Sequence, residues 1–137
     1  LSELHSQGRT AMIQPYLAEV DTAGETALVF VGGAFSHAAR KAPILSQDIS
    51  WSTGLYADEK ITPSTPDAGQ LVLAEQIVAA LPGFVEGGSN IAYARVDLLP
   101  TPAGPVLLEL ELTEPSLFLA MDPEAPALAA RTFNALL

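Results

Sequence analysis

Between residues 93 and 117 the sequence reads YARVDLLPTPAGPVLLELELTEPSL, which sets Arg95, Asp97, Glu109, Glu111 and Glu114 among residues otherwise suited to buried strands. Residues two apart on a strand face the same way, so Arg95 and Asp97 share a face of the first run and Glu109 and Glu111 share a face of the second. Ala94, Val96 and Leu98 take the opposite face of the first run, and Leu108, Leu110 and Leu112 that of the second. If the runs pair across PTPAGP, Asp97 comes close to Glu109 and Glu111. Like charges about 4 Å apart repel by about 4 kcal/mol at an effective dielectric near 20, so three such carboxylates call for a counter-ion or a raised pKa. Oxygen ligands without His or Cys suit a hard cation, and Mg2+ held by a few carboxylates and substrate phosphates is the usual form. Arg95 would then hold a phosphate or a developing oxyanion. Taken by itself, alternation favours a plainer reading, a hairpin with one face in water.

The elements that must position these residues are legible around them. ETALVFV and AFSHAARK flank Gly32-Gly33, which permits positive φ at both turn positions, so residues 25–31 and 34–41 are expected to pair antiparallel. Upstream, AMIQ is short, apolar and strand-like. Residues 42–66 carry Pro43, Pro63, Pro66 and the single tryptophan, Trp51, without a sustained period, and read as a loop with one short strand near 55–61. Leu71, Ala74, Ile77, Val78 and Leu81 recur at helical spacing between Pro66 and Pro82-Gly83. IAYARVDLL and PVLLELEL form the second hairpin. The chain closes on a helix with Asp122 as its cap, Pro123 at its first position, Glu124 in its first turn, and Leu128, Phe133 and Leu136 on its apolar side. This order suits an α+β fold better than alternating βαβ units.

With 137 residues the chain makes one domain or a piece of something larger, and its opening, LSELHSQGRTAM, reads as a start in mid-protein without a signal peptide. A formal charge of −10 disfavours nucleic acid and anionic membrane surfaces as partners. No apolar run approaches the roughly 20 residues of a membrane span. The absence of cysteine removes disulfides and thiolate chemistry and fits a reducing compartment, so the cytoplasm is the expected location. His5 and His37 lack partner spacing for a metal, and His37, in mid-strand, is expected to be structural. No Gly-x-Ser-x-Gly elbow supports a hydrolase, and Gly87-Gly88 lacks the flanks of a dinucleotide loop.

The stretch ARVDLLPTPAGPVLLELE resembles the metal-binding hairpin of the ATP-grasp ligases, an Arg-x-Asp strand followed by Glu-x-Asn on the next. Upstream, QPYL is similar to the segment that carries the adenine-binding hinge of that family. The resemblance covers most of the chain and is strongest to the branch that closes the cycloserine ring from an O-ureidoserine precursor, which has a similar LVF-GG-FSHA-RK hairpin and LELELxEPSL ending. Glutathione synthetases, ribosomal-protein glutamate ligases and D-alanine-D-alanine ligases share the metal motif more distantly. Glu111 stands where most of the family has Asn, and Pro15 where many members have Glu.

The resemblance implies an ATP-grasp-type antiparallel sheet with packed helices, residues 1–137 being part of the ATP-grasp domain of a larger ligase. The upstream phosphate loop with its lysines and an N-terminal domain have no counterpart in this sequence. It implies ATP and Mg2+ as cofactors and ligation of a carboxylate to a nitrogen through an acyl phosphate. The substrate would be small and amino-acid-like, with ring closure as one form of the reaction and a homo-oligomer as one form of the protein. Asp97, Glu109 and Glu111 would hold the metal, with Glu109 best placed to bridge two ions. Arg95 would steady the transferring phosphoryl group, and Arg40 is the second residue expected in catalysis. Gln14, Tyr16, Leu17, Glu19, Asp21 and Lys41 would meet the nucleotide, with Glu19 or Asp21 on the ribose. Glu25, Glu114 and Ser116 would contact substrate. Glu111 in place of Asn and the missing lysines also fit a rival reading, a noncatalytic binding or dimerisation domain derived from the same fold.

Overall fold

The computed structural model of the protein describes residues 2–11, 13–43 and 60–136. Its helices and strands are α1 (Ser2–Ser6), β1 (Glu25–Val31), β2 (Ala34–Lys41), β3 (Ile61–Ser64), α2 (Ala68–Ala80), β4 (Tyr93–Thr101), β5 (Gly104–Glu111) and α3 (Ala125–Ala135). The strands form one sheet in the order β3-β2-β1-β4-β5, every neighbouring pair antiparallel. This is the α+β architecture expected from the sequence. Both hairpins are present, and the β1–β2 turn places Gly32 and Gly33 at φ of 61° and 80°, a conformation β-carbons disfavour. In the second hairpin the strands run into PTPAGP, so that Thr101 pairs with Gly104 and the turn is only Pro102-Ala103. No described helix is long and apolar enough to cross a membrane.

The period of two sorts the core onto two faces. On one, Leu28, Phe30, Ala38, Ala94, Val96 and Leu98 pack against Ala74, Val78 and Leu81 of α2 and the turn after it. On the other, Val29 and Val31 meet Ala129, Leu128 and Phe133 of α3 together with Leu117 and Leu119. Removing a side chain the size of Leu98 or Phe30 from water stabilises by about 2 kcal/mol, so these central strands anchor whatever else the faces carry. The start of α2 is fixed by a capping box: Asp67 Oδ1 accepts from the Gln70 amide at 2.8 Å, and Gln70 Oε1 accepts from the Asp67 amide at 3.0 Å.

Several boundaries differ from the sequence reading. Of the strand expected over AMIQ, Ala11, Ile13 and Gln14 lie outside the sheet with Ile13 exposed, and Met12 falls outside the described residues. Part of the strand expected near 55–61 falls outside the described residues, and β3 occupies Ile61–Ser64. The terminal helix begins after Asp122 and Pro123, which form a turn in which Asp122 Oδ1 accepts from the Glu124 amide at 2.8 Å. Its buried residues are Ala125 and Ala129, small enough for close approach to the sheet, while Leu136 is exposed.

Candidate functional site

Register decides which side chains meet. Glu25 pairs with Lys41, Ala27 with Asp97, Asp97 with Glu109, and Arg95 with Glu111, all on the face that α3 only partly covers. Glu25, Lys41, Arg95, Asp97, Glu109 and Glu111 thereby form one ion cluster across four strands. Asp97 is its hub and is wholly buried. Its Oδ1 accepts from Arg95 Nε at 2.9 Å, and its Oδ2 accepts from Arg95 Nη2 at 3.0 Å and from Lys41 Nζ at 2.7 Å. Lys41 Nζ also donates to Glu25 Oε2 at 2.9 Å, and Arg95 Nη2 lies 2.8 Å from Glu111 Oε1 and 3.7 Å from Glu109 Oε2.

Burial alone would lower the pKa of Lys41 and of Arg95, but the surrounding carboxylates outweigh it, Asp97 first, with Glu25 at Lys41 and Glu111 and Glu109 at Arg95, and both are raised. Glu109 is raised by burial first, then by the carboxylates of Glu111 and Asp97. Four carboxylates against two cations leave the cluster with an excess of two negative charges, concentrated at its outer edge on Glu109 and Glu111.

The metal expectation meets a specific arrangement. Among the described residues no three carboxylate or imidazole groups converge as a metal cluster. Asp97 is tied down by two cations, so Glu109 and Glu111 are the carboxylates left facing outward, with side chains 52% and 27% exposed. Two carboxylates of this kind suit Mg2+, which is commonly held by one or two carboxylates together with phosphate oxygens.

Arg40, expected in catalysis, is not in the cluster. Successive residues of a strand point to opposite faces, and Arg40 turns to the α2 side, where Nη1 donates to Thr26 Oγ1 at 3.3 Å and Nη2 donates to the Ala23 carbonyl. Gln70 Nε2 donates to the same Thr26 hydroxyl at 3.0 Å, which makes Arg40 part of the tie between helix and sheet.

Beyond Asp97 the β4–β5 register shifts by one residue, so Asp97 pairs with Glu109 but Leu98 with Leu107. This β-bulge breaks the simple alternation that set Leu108 apart from the glutamates. Leu99, Val106, Leu107 and Leu108 line a mostly apolar cavity of about 510 Å3, closed on its other side by Gln14, Pro15, Tyr16, Leu17 and Val20. Glu19 and Asp21 follow in the turn Ala18–Asp21. Tyr16 donates to Asp21 Oδ2, and Asp21 Oδ1 is buried without a hydrogen-bond partner among the described residues.

At the other end of the cluster, residues 112–118 leave β5 and cross the sheet. Ser116 gives its carbonyl to Arg95 Nη1 at 3.3 Å, the Phe118 ring centroid lies 5.3 Å from the Arg95 guanidinium carbon, and Glu114 is exposed at φ 58°. Phe118 and the four residues of the cavity wall from β4 and β5 were not singled out as site residues from the sequence. An Arg–aromatic contact across 23 positions has no local pattern, and the wall depends on the bulge.

No protein-family model matches the chain. The chain is homologous to the cycloserine biosynthesis protein DcsG of Streptomyces lavendulae, with 32% identity over 96% of its length, and spans 45% of that protein. The crystal structure of the D-cycloserine synthetase DcsG superposes on 87% of the chain and 41% of that structure, with a TM-score of 0.62. The likeness to the cycloserine-forming branch of the ATP-grasp ligases therefore holds in sequence and in fold.

Proposed function

We propose that the chain is the nucleotide- and metal-binding part of an ATP-dependent carboxylate–nitrogen ligase of the cycloserine-forming type, acting on a small amino-acid-like substrate. The observation that carries this reading is the adjacency of two unlike features along β4: an apolar cavity at Leu99 and an electronegative ion cluster at Asp97. An adenine ring needs the first and a magnesium-bound polyphosphate the second. Asp21 Oδ1, buried without a hydrogen-bond partner among the described residues, favours Asp21 over Glu19 as acceptor for a ribose hydroxyl, since a buried lone pair without a donor is costly. Glu109 and Glu111 are the carboxylates on the metal side, and Asp97 serves behind them as counter-charge to Lys41 and Arg95. Magnesium–ATP, when bound, supplies the phosphoryl group that activates a carboxylate as an acyl phosphate for capture by nitrogen. The residues' own contribution is orientation and charge: Lys41 and Arg95 are kept protonated and aimed along one face by Asp97. Glu25, held by Lys41, and Glu114 and Ser116, beside Arg95, border the space left for the amino-acid substrate.

Calorimetric titration of a non-hydrolysable ATP analogue into the complete protein, with and without Mg2+, tests this. Binding that requires Mg2+ and weakens at least about tenfold in Glu109→Gln, the loss of one charged ligand interaction, is the expected outcome. A folded protein that gives no heat under either condition would overturn the reading in favour of a noncatalytic binding or dimerisation domain.

A further inference from the structure

His37 is buried on β2, on the same face as the ion cluster but not in it. One ring nitrogen, Nε2, lies 2.8 Å from the Leu117 carbonyl, which can only accept, so Nε2 carries the proton. Ser36 Oγ lies 2.9 Å from Nδ1, so both ring nitrogens have a polar partner. The segment it grips is unusual. Glu114 and Phe118 both have positive φ, 58° and 46°, although neither is glycine, and such residues persist only where their surroundings hold them. The holders are named by the contacts: Arg95 on the Ser116 carbonyl, the Arg95 guanidinium against the Phe118 ring, Leu117 packed beside Val29 and Val31, and His37 on the Leu117 carbonyl. Of these two polar ties His37 makes the shorter, at 2.8 Å against 3.3 Å for Arg95, and it comes from β2, on the other side of β1 from Arg95.

We infer that His37 is a positioning residue of the site: by fixing the Leu117 carbonyl it straps residues 114–118 across the sheet and so sets the orientation of Arg95 and the amino-acid end of the pocket. The order along β4 gives the inference its direction. Arg95 touches the strap, Asp97 is the hub, and Leu99 lines the apolar cavity. At about 3.3 Å per residue, the strap and the cavity are separated by roughly 13 Å along the strand. Loosening the strap therefore affects the amino-acid substrate and spares the nucleotide. This consequence for catalysis rests on the ligase reading above, whereas the strap itself does not.

The test uses the complete protein with His37→Leu, which removes the donor but keeps an apolar side chain, and His37→Gln, which keeps a donor near the same place. Two readouts are taken: amide hydrogen exchange of residues 114–118, and steady-state kinetics with ATP and O-ureidoserine. His37→Leu is expected to speed exchange in the strap and to raise KM for the amino acid, each by roughly tenfold, the effect of losing one ordinary hydrogen bond. KM for ATP stays within about twofold and His37→Gln within about threefold of wild type on both readouts, as rescue of that bond requires. Unchanged strap exchange in His37→Leu, or equal impairment of both variants, overturns the inference. Should His37→Leu fail to fold, Phe118→Leu, which takes the ring from Arg95, decides instead: an unchanged KM for the amino acid overturns the inference and a raised one upholds it. If wild-type protein ligates nothing, the ligase reading fails, and the exchange readout alone still upholds or overturns the strap.

Discussion

Arg40 and Lys41 are adjacent in the chain and enter opposite faces of the sheet, and the polar groups they join there differ in kind. On the α2 side, Arg40, Thr26 and Gln70 form a compact hydrogen-bonded patch in which Gln70 also caps its own helix. Among the described residues Arg40 meets no carboxylate, the carboxylate in the patch is that of the cap residue Asp67, and the patch ends where helix meets sheet. On the other side, Lys41, Arg95 and Asp97 are as buried, but the network continues outward to Glu109 and Glu111 and carries more negative charge than it neutralises. A patch whose polar groups are satisfied by hydrogen bonds rigidifies the fold. A buried ion hub with surplus charge at its rim stores an interaction that a cationic ligand completes. The same sheet thus carries a hydrogen-bonded tie to a helix on one side and, on the other, the ion cluster on which the proposed function rests.

Three substitutions would break or sharpen that contrast. Asp97→Asn is expected to have the largest effect, a loss of about 3 kcal/mol in urea unfolding, because it leaves Lys41 and Arg95 buried without their shared anion. A loss below about 1 kcal/mol, the size expected of an exposed pair, would show that the hub is not a buried one in solution. Gln70→Ala comes next, at about 1–2 kcal/mol, from the lost capping box and the lost bond to Thr26. On this face the cost is to stability alone, so affinity for the magnesium–nucleotide analogue should stay unchanged by calorimetry, and a parallel loss of affinity would erase the distinction between the faces.

Glu109→Gln should be the mildest for the fold, and the size of its effect depends on pH. The Glu109 carboxyl is raised above its ordinary value of 4.5, so between that value and its folded pKa the native state binds more protons than the unfolded state. Stability contributed by this group is therefore fully present below 4.5 and declines as pH rises through the folded pKa. Glu109→Gln abolishes that decline, so its advantage over wild type in urea midpoints should be larger at pH 7 than at pH 4. An advantage that grew in acid would mean that the neighbouring cations, not the carboxylates, dominate at Glu109.

How much of this was legible in the chain can be judged residue by residue. The Gly32-Gly33 hairpin, the helix over 68–80 and the acidic hairpin are local patterns, set by φ preferences and side-chain period, and they stand where the sequence places them. The pairing of Asp97 with Glu109 followed from the turn between their strands. Arg40 was read as a catalytic residue, whereas strand geometry turns it to the face opposite Lys41 and the cluster. Glu25 was seen only as a substrate contact, and its tie to Lys41 depends on the β1–β2 register. Leu108 was set by strict alternation, and a single bulged residue moved it into a cavity wall.

The sequence by itself determined the elements, the sharing of one strand face by Arg95 and Asp97, and the family likeness, because each depends on spacing within a short stretch. Tertiary structure decided that Asp97 is a hub gripped by Lys41 and Arg95, that Arg40 serves the helix, and that His37 reaches the Leu117 carbonyl 80 positions away. Those outcomes depend on register, on one bulge and on which face a helix covers. They are set by the burial free energy of the whole sheet, which no local pattern encodes.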